Sequence, residues 1–198
     1  MKKLVLLFIA GFSLATSHAQ IRFGLKAGVN FSSLHETSTT DGSSLSTKVD
    51  FNAGALVNIK LIDKLSLQPE VIYSGQGSKA TQNGMDATYN FGYINIPILV
   101  KYNIIAGLFA ETGPQLGILT SANVKESGSS VSIKDEIKST DWSWSFGAGY
   151  LLPINLGFDA RYNLGFSNIA KGTDSNGGSL KNGAFQVGVF YLFGGGKK

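Results

Sequence analysis

From Gln20 onward the apolar residues recur at every second position, the period of a strand with two unlike faces; the three-and-four spacing of a helix is absent. Ile21, Phe23, Leu25, Ala27, Val29 and Phe31 share one parity, with Arg22, Gly24, Lys26, Gly28, Asn30 and Ser32 on the other. The same alternation begins at Phe51 (Phe51, Ala53, Ala55, Val57, Ile59, Leu61) and at Leu65 (Leu65, Leu67, Pro69, Val71, Tyr73). It resumes at Ile94 (through Tyr102), Leu108 (through Ile118), Trp142 (through Leu152), Leu156 (through Phe166) and Phe185 (through Phe193). In the last of these the polar parity is least clean, because Phe190 and Leu192 also fall on it. Eight strands are predicted.

The apolar parity of these segments holds no charged residue, whereas the opposite parity holds Arg22, Lys26, Lys60, Glu70, Lys101, Glu111, Asp159 and Arg161. The joins also alternate. Ile62-Asp63-Lys64, Asn103 to Gly107 and Pro153-Ile154 are short; Ser33 to Asp50, Lys79 to Thr88, Thr120 to Thr140 and Asn168 to Asn182 are long and polar. Outer-membrane barrels show this asymmetry, with short periplasmic turns and longer external loops. The expected fold is therefore all-β, an eight-stranded antiparallel up-and-down transmembrane β-barrel.

Periodicity alone does not say which face is outside, and a soluble lipocalin-type barrel would turn the apolar parity inward. Three features favour lipid outside. Glycines crowd the polar parity (Gly24, Gly28, Gly54, Gly113, Gly117, Gly147, Gly149, Gly157, Gly165, Gly188), where they would weaken a wet wall but make room in a narrow lumen. The apolar parity is too bulky for an eight-stranded interior, which is only wide enough for side chains to fill. Tyr102, Trp142, Tyr150, Tyr191 and Phe193 lie towards strand ends, as an interfacial aromatic girdle requires. In hydrocarbon, moreover, a strand protein must close on itself to pair its backbone groups. Pro69, Pro97 and Pro114 fall within strands and each removes a ladder donor, so local bulges are expected there.

Composition narrows the chemistry. The basic Met1-Lys2-Lys3, the apolar stretch Leu4 to Leu14 and the small-x-small Ser17-His18-Ala19 read as a signal peptide over 1–19. The apolar stretch falls short of the about 20 residues a membrane helix needs. The barrel then occupies 20–193 and a Gly/Lys tail 194–198, with export to the bacterial outer membrane. Much of the +4 net charge belongs to that leader, and no basic block points to nucleic acid. The absence of cysteine excludes disulfides, thiolate metal sites and cysteine nucleophiles. Beyond the leader the one histidine is His35, beside Ser32, Ser33 and Glu36 in a Ser/Thr-rich stretch that is a poor scaffold for a positioned base. Asp174-Ser175-Asn176-Gly177-Gly178 has spaced oxygens but lacks the distal glutamate of a calcium loop and reads as a polar turn. No catalytic residue, metal or cofactor is expected.

Counting from the short turns places Lys26, Glu70, Glu111, Asp159 and Arg161 at one depth inside the lumen, where unpaired charges would be costly; an ion-pair network is predicted. Arg22, Lys60 and Lys101 fall nearer the periplasmic lip and would form a basic collar. The network would serve as a structural plug, or as the gate of a narrow pore for small solutes.

The segments Leu65–Ser74 (LSLQPEVIYS), Tyr93–Tyr102 (YINIPILVKY) and Ala110–Gly117 (AETGPQLG) resemble motifs of the PorT-like outer-membrane β-barrel family, and Gly147–Tyr150 and Ala160–Gly165 are similar to its later strands. The resemblance covers the whole chain beyond the leader and makes the strand prolines a family habit. It implies an outer-membrane location. Its namesake takes part in a gliding-associated secretion system, so an accessory role in secretion follows from the likeness. A structural or partner-binding role is expected, with membrane lipid and envelope proteins as partners.

Overall fold

The computed structural model describes residues 20–36, 44–82, 85–126, 129–171 and 179–194. The expected signal peptide over 1–19, the Gly/Lys tail beyond Gly194 and the segment Asp174–Gly178, expected to be a polar turn, lie outside the described residues. Nine strands are present among the described residues: β1 (Ile21–Glu36), β2 (Ser44–Ile62), β3 (Leu65–Gln82), β4 (Met85–Ile105), β5 (Leu108–Glu126), β6 (Ser129–Ser132), β7 (Thr140–Leu151), β8 (Leu156–Gly165) and β9 (Leu180–Phe193). β1 to β5 pair antiparallel in chain order, β5 pairs with both the short β6 and β7, β7 pairs with β8, β8 with β9, and β9 with β1. The result is a closed ring of eight strands, with β6 attached only to β5 and standing outside the ring.

The ring is inside out relative to a soluble protein. Phe23, Leu25, Phe51, Val71, Phe146, Phe158 and Leu164 are exposed, while Lys26, Asn30, Asn52, Gln68, Glu70, Glu111, Asp159 and Arg161 are buried. A charged, amide-rich interior with an apolar wall is stable only where the wall meets hydrocarbon. This overturns the lipocalin-type alternative.

The strands run further than their alternation. Residues 79–82 and 85–88, expected within a loop, continue β3 and β4, which are joined across residues 83–84. Likewise β5 continues to Glu126 and turns back as β6 inside the expected loop Thr120 to Thr140. Beyond the membrane neither face has to be greasy, so backbone pairing persists while the period-2 signal fades. The barrel is consequently lopsided: β2 to β5 have 19, 18, 21 and 19 residues against 12 and 10 in β7 and β8. About 9–11 residues suffice to cross the hydrocarbon, so the β2–β5 wall projects well past it.

The prolines do not produce bulges. Register is unchanged across all three: Leu56 pairs with Glu70 and Ile59 with Leu67 around Pro69, and Ile96 pairs with Leu116 and Val100 with Thr112 around Pro97 and Pro114. What is missing is ladder pairing with one neighbour at each site. A lost N–H opens the ladder locally without inserting a residue. The register shifts lie elsewhere, at Thr47/Asn52, Lys60/Ile62, Gly92/Tyr93 and Asn103/Ile105.

At the short-turn end, Gly107 (φ 82°) and Asn155 (φ 64°) take the left-handed conformation that their tight connections require. Inside, glycines face bulky neighbours. A Cβ on Gly157 would lie 2.1 Å from Cζ of Phe190, whose ring is buried against Phe109 at 6.1 Å between centroids and cannot swing away. Gly157→Ala is therefore expected to cost about 1–3 kcal/mol, the usual range for overpacking. Pairing it with Phe190→Leu should recover part of that loss in urea unfolding of the lipid-reconstituted barrel; no recovery would locate the strain elsewhere.

Candidate functional site in the barrel lumen

The lumen is built in layers. Nearest the short turns Leu56, Phe109, Phe190 and Leu192 form an apolar plug, with Leu151 packed against it. All four sit on the polar parity of their strands, so they project inward from β2, β5 and β9. The alternation marked Phe190 and Leu192 as exceptions; Leu56 and Phe109 carried the same signal, an apolar residue out of phase.

Above the plug lie the buried charges, with Arg161 at the centre. Its Nη1 and Nη2 donate to the two oxygens of Glu70 at 2.9 and 3.1 Å, and its Nε donates to Oε1 of Glu111 at 2.9 Å. Nη2 also lies 2.7 Å from Glu111 Oε1 and 3.8 Å from Asp159 Oδ2. The paired geometry towards Glu70 is the bidentate fork that a planar guanidinium makes with a carboxylate. Lys26 pairs with Asp159. The backbone register explains how the groups meet. Gly147 stands opposite both Glu111 on β5 and Arg161 on β8, and a Cβ there would come within 3.0 Å of Arg161 Cβ and 3.1 Å of Glu111 Oε1. Gly188, opposite Asp159, similarly leaves room for the Lys26 stem. Lys26, Glu70, Glu111, Asp159 and Arg161 thus stand in one connected set of contacts.

Lys101 departs from the expected collar. It is buried, its Nζ lies 3.6 Å from Glu111 Oε2 and donates to Gln68 Oε1 at 3.2 Å, and it sits 3.5 Å above the Phe109 ring. It links the ion pairs to the aromatic plug through a cation–π contact. The reason is the inward-projecting Phe109, which offers the ammonium a partner deep in the lumen that strand position alone does not reveal. Gln68 is shared: it accepts from Lys101 and Asn58 and donates to Glu70 at 2.7 Å. Arg22 and Lys60 stay near the lip, Arg22 Nη2 donating to Asn58 at 3.5 Å and Lys60 pairing with Asp63 of the adjoining turn at 3.1 Å.

Further out the interior is lined by amides and hydroxyls. Asn30 donates to Ser74 Oγ at 2.8 Å and to the Gly75 carbonyl at 2.7 Å, Asn52 donates to Asn30 at 2.6 Å, and Lys48 pairs with Asp50. Above these, Leu34, Phe91, Tyr93, Leu119 and Ala122 meet Ile137 and Ile169 from the external connections in a second apolar cluster. An isolated bridge, Ile137 to Ala170, ties those connections together across the mouth. A small lumen cavity bounded by Gln76, Gln115, Asp141, Ser143, Asn163 and Asn182 measures about 10 Å³, the space of a single water.

Outside, Tyr102, Tyr150, Tyr191 and Phe193 are exposed on the short-turn side, with the Tyr191 and Phe193 rings 5.2 Å apart; Trp142 is exposed at the opposite end. The backbone of His35 pairs with Lys181 in the β1–β9 ladder.

Among solved structures, neisserial surface protein A is similar with a TM-score of 0.55 at 14% identity, covering 86% of this chain and 97% of that one. The attachment invasion locus protein Ail of Yersinia pestis gives 0.48 at 17% identity, with 87% and 98% covered. The outer membrane protein OprG of Pseudomonas aeruginosa gives 0.41 at 12% identity, with 89% and 96% covered. No curated protein matches the chain. Residues 15–171 match the family model described as outer membrane protein beta-barrel domain. A closed ring with a greasy wall and a charged interior is the architecture that match implies, and the chain belongs to this family of bacterial outer-membrane barrels.

Proposed function

We propose that this barrel is a closed, non-enzymatic scaffold of the outer membrane that works by binding partners rather than by passing solutes. One observation carries the reading: but for one space of about 10 Å³, the described lumen is filled by an apolar plug, an ion-pair layer, an amide layer and an apolar cap. Eight-stranded interiors are only wide enough for such filling. The contact surface is then the external end, where the long β2–β5 wall and β6 rise beyond the membrane and expose Lys79, Lys125, Glu126, Ser129 and Ser130. The lip bearing Arg22 and Lys60 offers a second, basic contact surface.

The test is electrical. Purified protein in a planar bilayer is expected to give no stable conductance steps. Steady open channels that vanish on Glu111→Gln would reverse the reading and make the ion pairs a gate. The narrower role, accessory to a PorT-type secretion system, is supported by the strand motifs at Leu65–Ser74, Tyr93–Tyr102 and Ala110–Gly117. Deleting the gene should deplete exported proteins from the culture supernatant; an unchanged supernatant removes that role and leaves the scaffold standing.

A further inference from the structure

Every buried charged side chain among the described residues has an ion-pair partner within 4.0 Å except Asp141. Lys26, Lys101 and Arg161 balance Glu70, Glu111 and Asp159, and the nearby Lys48 is matched by Asp50. Asp141, at the start of β7, is 6% exposed. Its two oxygens accept from neutral donors only, the Ser167 hydroxyl at 2.7 Å and Asn182 Nδ2 at 3.3 Å. An uncompensated carboxylate in such a place is costly.

The carboxylate borders the 10 Å³ cavity, whose other polar walls are Gln76, Gln115, Ser143, Asn163 and Asn182. Two of these present a buried atom with no partner: Oδ1 of Asn182 and Nδ2 of Asn163, from side chains 5% and 3% exposed. Asn182 has no freedom to turn, because its Nδ2 already donates to Gln76 Oε1 and to Asp141. Its oxygen is therefore fixed without a partner on a residue that borders the same space as the Asp141 charge. Asn163 accepts from the Ser145 hydroxyl through Oδ1 at 2.6 Å. Rotating its amide would let Nδ2 donate to Ser145 instead and would leave a second amide oxygen free on a residue that lines the cavity. That arrangement is complete once something positive meets both oxygens.

We propose that this chamber binds one monovalent alkali cation of sodium size, held by the Asp141 carboxylate and the amide oxygens of Asn182 and Asn163. The ligand set is all oxygen, as hard cations require. Calcium sites use six to eight oxygens, commonly from several carboxylates; here there is one carboxylate, and a single positive charge neutralises it. The volume admits an ion without a hydration shell, so the amides must supply its coordination. Such an ion would tie β7, β8 and β9 together beneath the external cap.

The experiment measures unfolding of the full-length barrel in detergent micelles, in sodium chloride and in choline chloride at equal ionic strength. With sodium at about ten times its dissociation constant, the folded-to-unfolded ratio should rise about tenfold over choline. Asp141→Asn should lose that increment while remaining folded in choline. Equal stability of the native chain in both salts, or a sodium increment that survives Asp141→Asn, overturns the site and leaves a neutral carboxyl with at most a water beside it. Should the variant fail to fold, unfolding of the native chain in caesium chloride decides: a sodium increment that the larger caesium ion does not give supports the site, and an equal increment in both salts refutes it.

Discussion

Arg161→Met is expected to be the most damaging single substitution in the lumen, lowering the stability of the lipid-reconstituted barrel by about 3–5 kcal/mol in urea unfolding. Methionine keeps much of the volume but removes the donors that reach Glu70 at 2.9 and 3.1 Å and Glu111 at 2.9 Å. Both carboxylates stay buried, and the cost of breaking a buried pair is mainly that of the charge left behind. Removing one acid as well should relieve it. In Arg161→Met with Glu70→Gln, Lys26 still faces Asp159 and Lys101 still faces Glu111, so the interior is again neutral. The double variant should therefore regain at least about half of the loss, a coupling of the size seen between residues sharing one network. A loss below about 1 kcal/mol for Arg161→Met, or strict additivity with Glu70→Gln, would mean that the ion pairs contribute little and that packing alone closes the lumen.

The second large effect concerns the opposite face. Val187 on β9 is 45% exposed and stands beside Val29 of β1 and Ala160 of β8. It lies six residues from Phe193; at about 3.4 Å per residue and a tilt near 40° this is roughly 15 Å above the short-turn rim, near the middle of the apolar band. Val187→Arg is expected to cost about 2–4 kcal/mol in vesicles, whereas Phe193→Arg, at the interface, should cost about 0–1 kcal/mol. The contrast is diagnostic, because a soluble protein would show no dependence on depth along the strand. Equal costs at the two positions would place water, not lipid, against the wall.

Much of this molecule is legible in its residues because the bilayer imposes a simple rule. Wherever a strand separates hydrocarbon from a polar lumen, its side chains must alternate, and β1, β7 and β8 display that alternation almost without exception. Outside the bilayer the rule lapses. The continuation of β3 and β4 to residues 82 and 85, and the extra β6, rest on backbone pairing that Ser, Thr, Asn and Gly can make without any pattern in hydropathy. The prolines were misleading for a related reason: a missing donor removes one hydrogen bond, but only an inserted residue shifts register.

The sequence by itself determined the number of ring strands and the face each residue occupies, since strand geometry converts position along the chain directly into side; depth followed less surely, as Lys101 shows. Which charge meets which partner was settled only on closure of the ring. Glu70 and Arg161 are 91 residues apart, and Lys101 meets Phe109 because β4 and β5 bring an inward-pointing ring beside it. Contacts across a lumen depend on curvature and on what the far wall presents, and no repeat along a single strand carries that information. Asp141 was likewise only another polar residue at a loop edge until β7, β8 and β9 came together around it and left its charge without a partner.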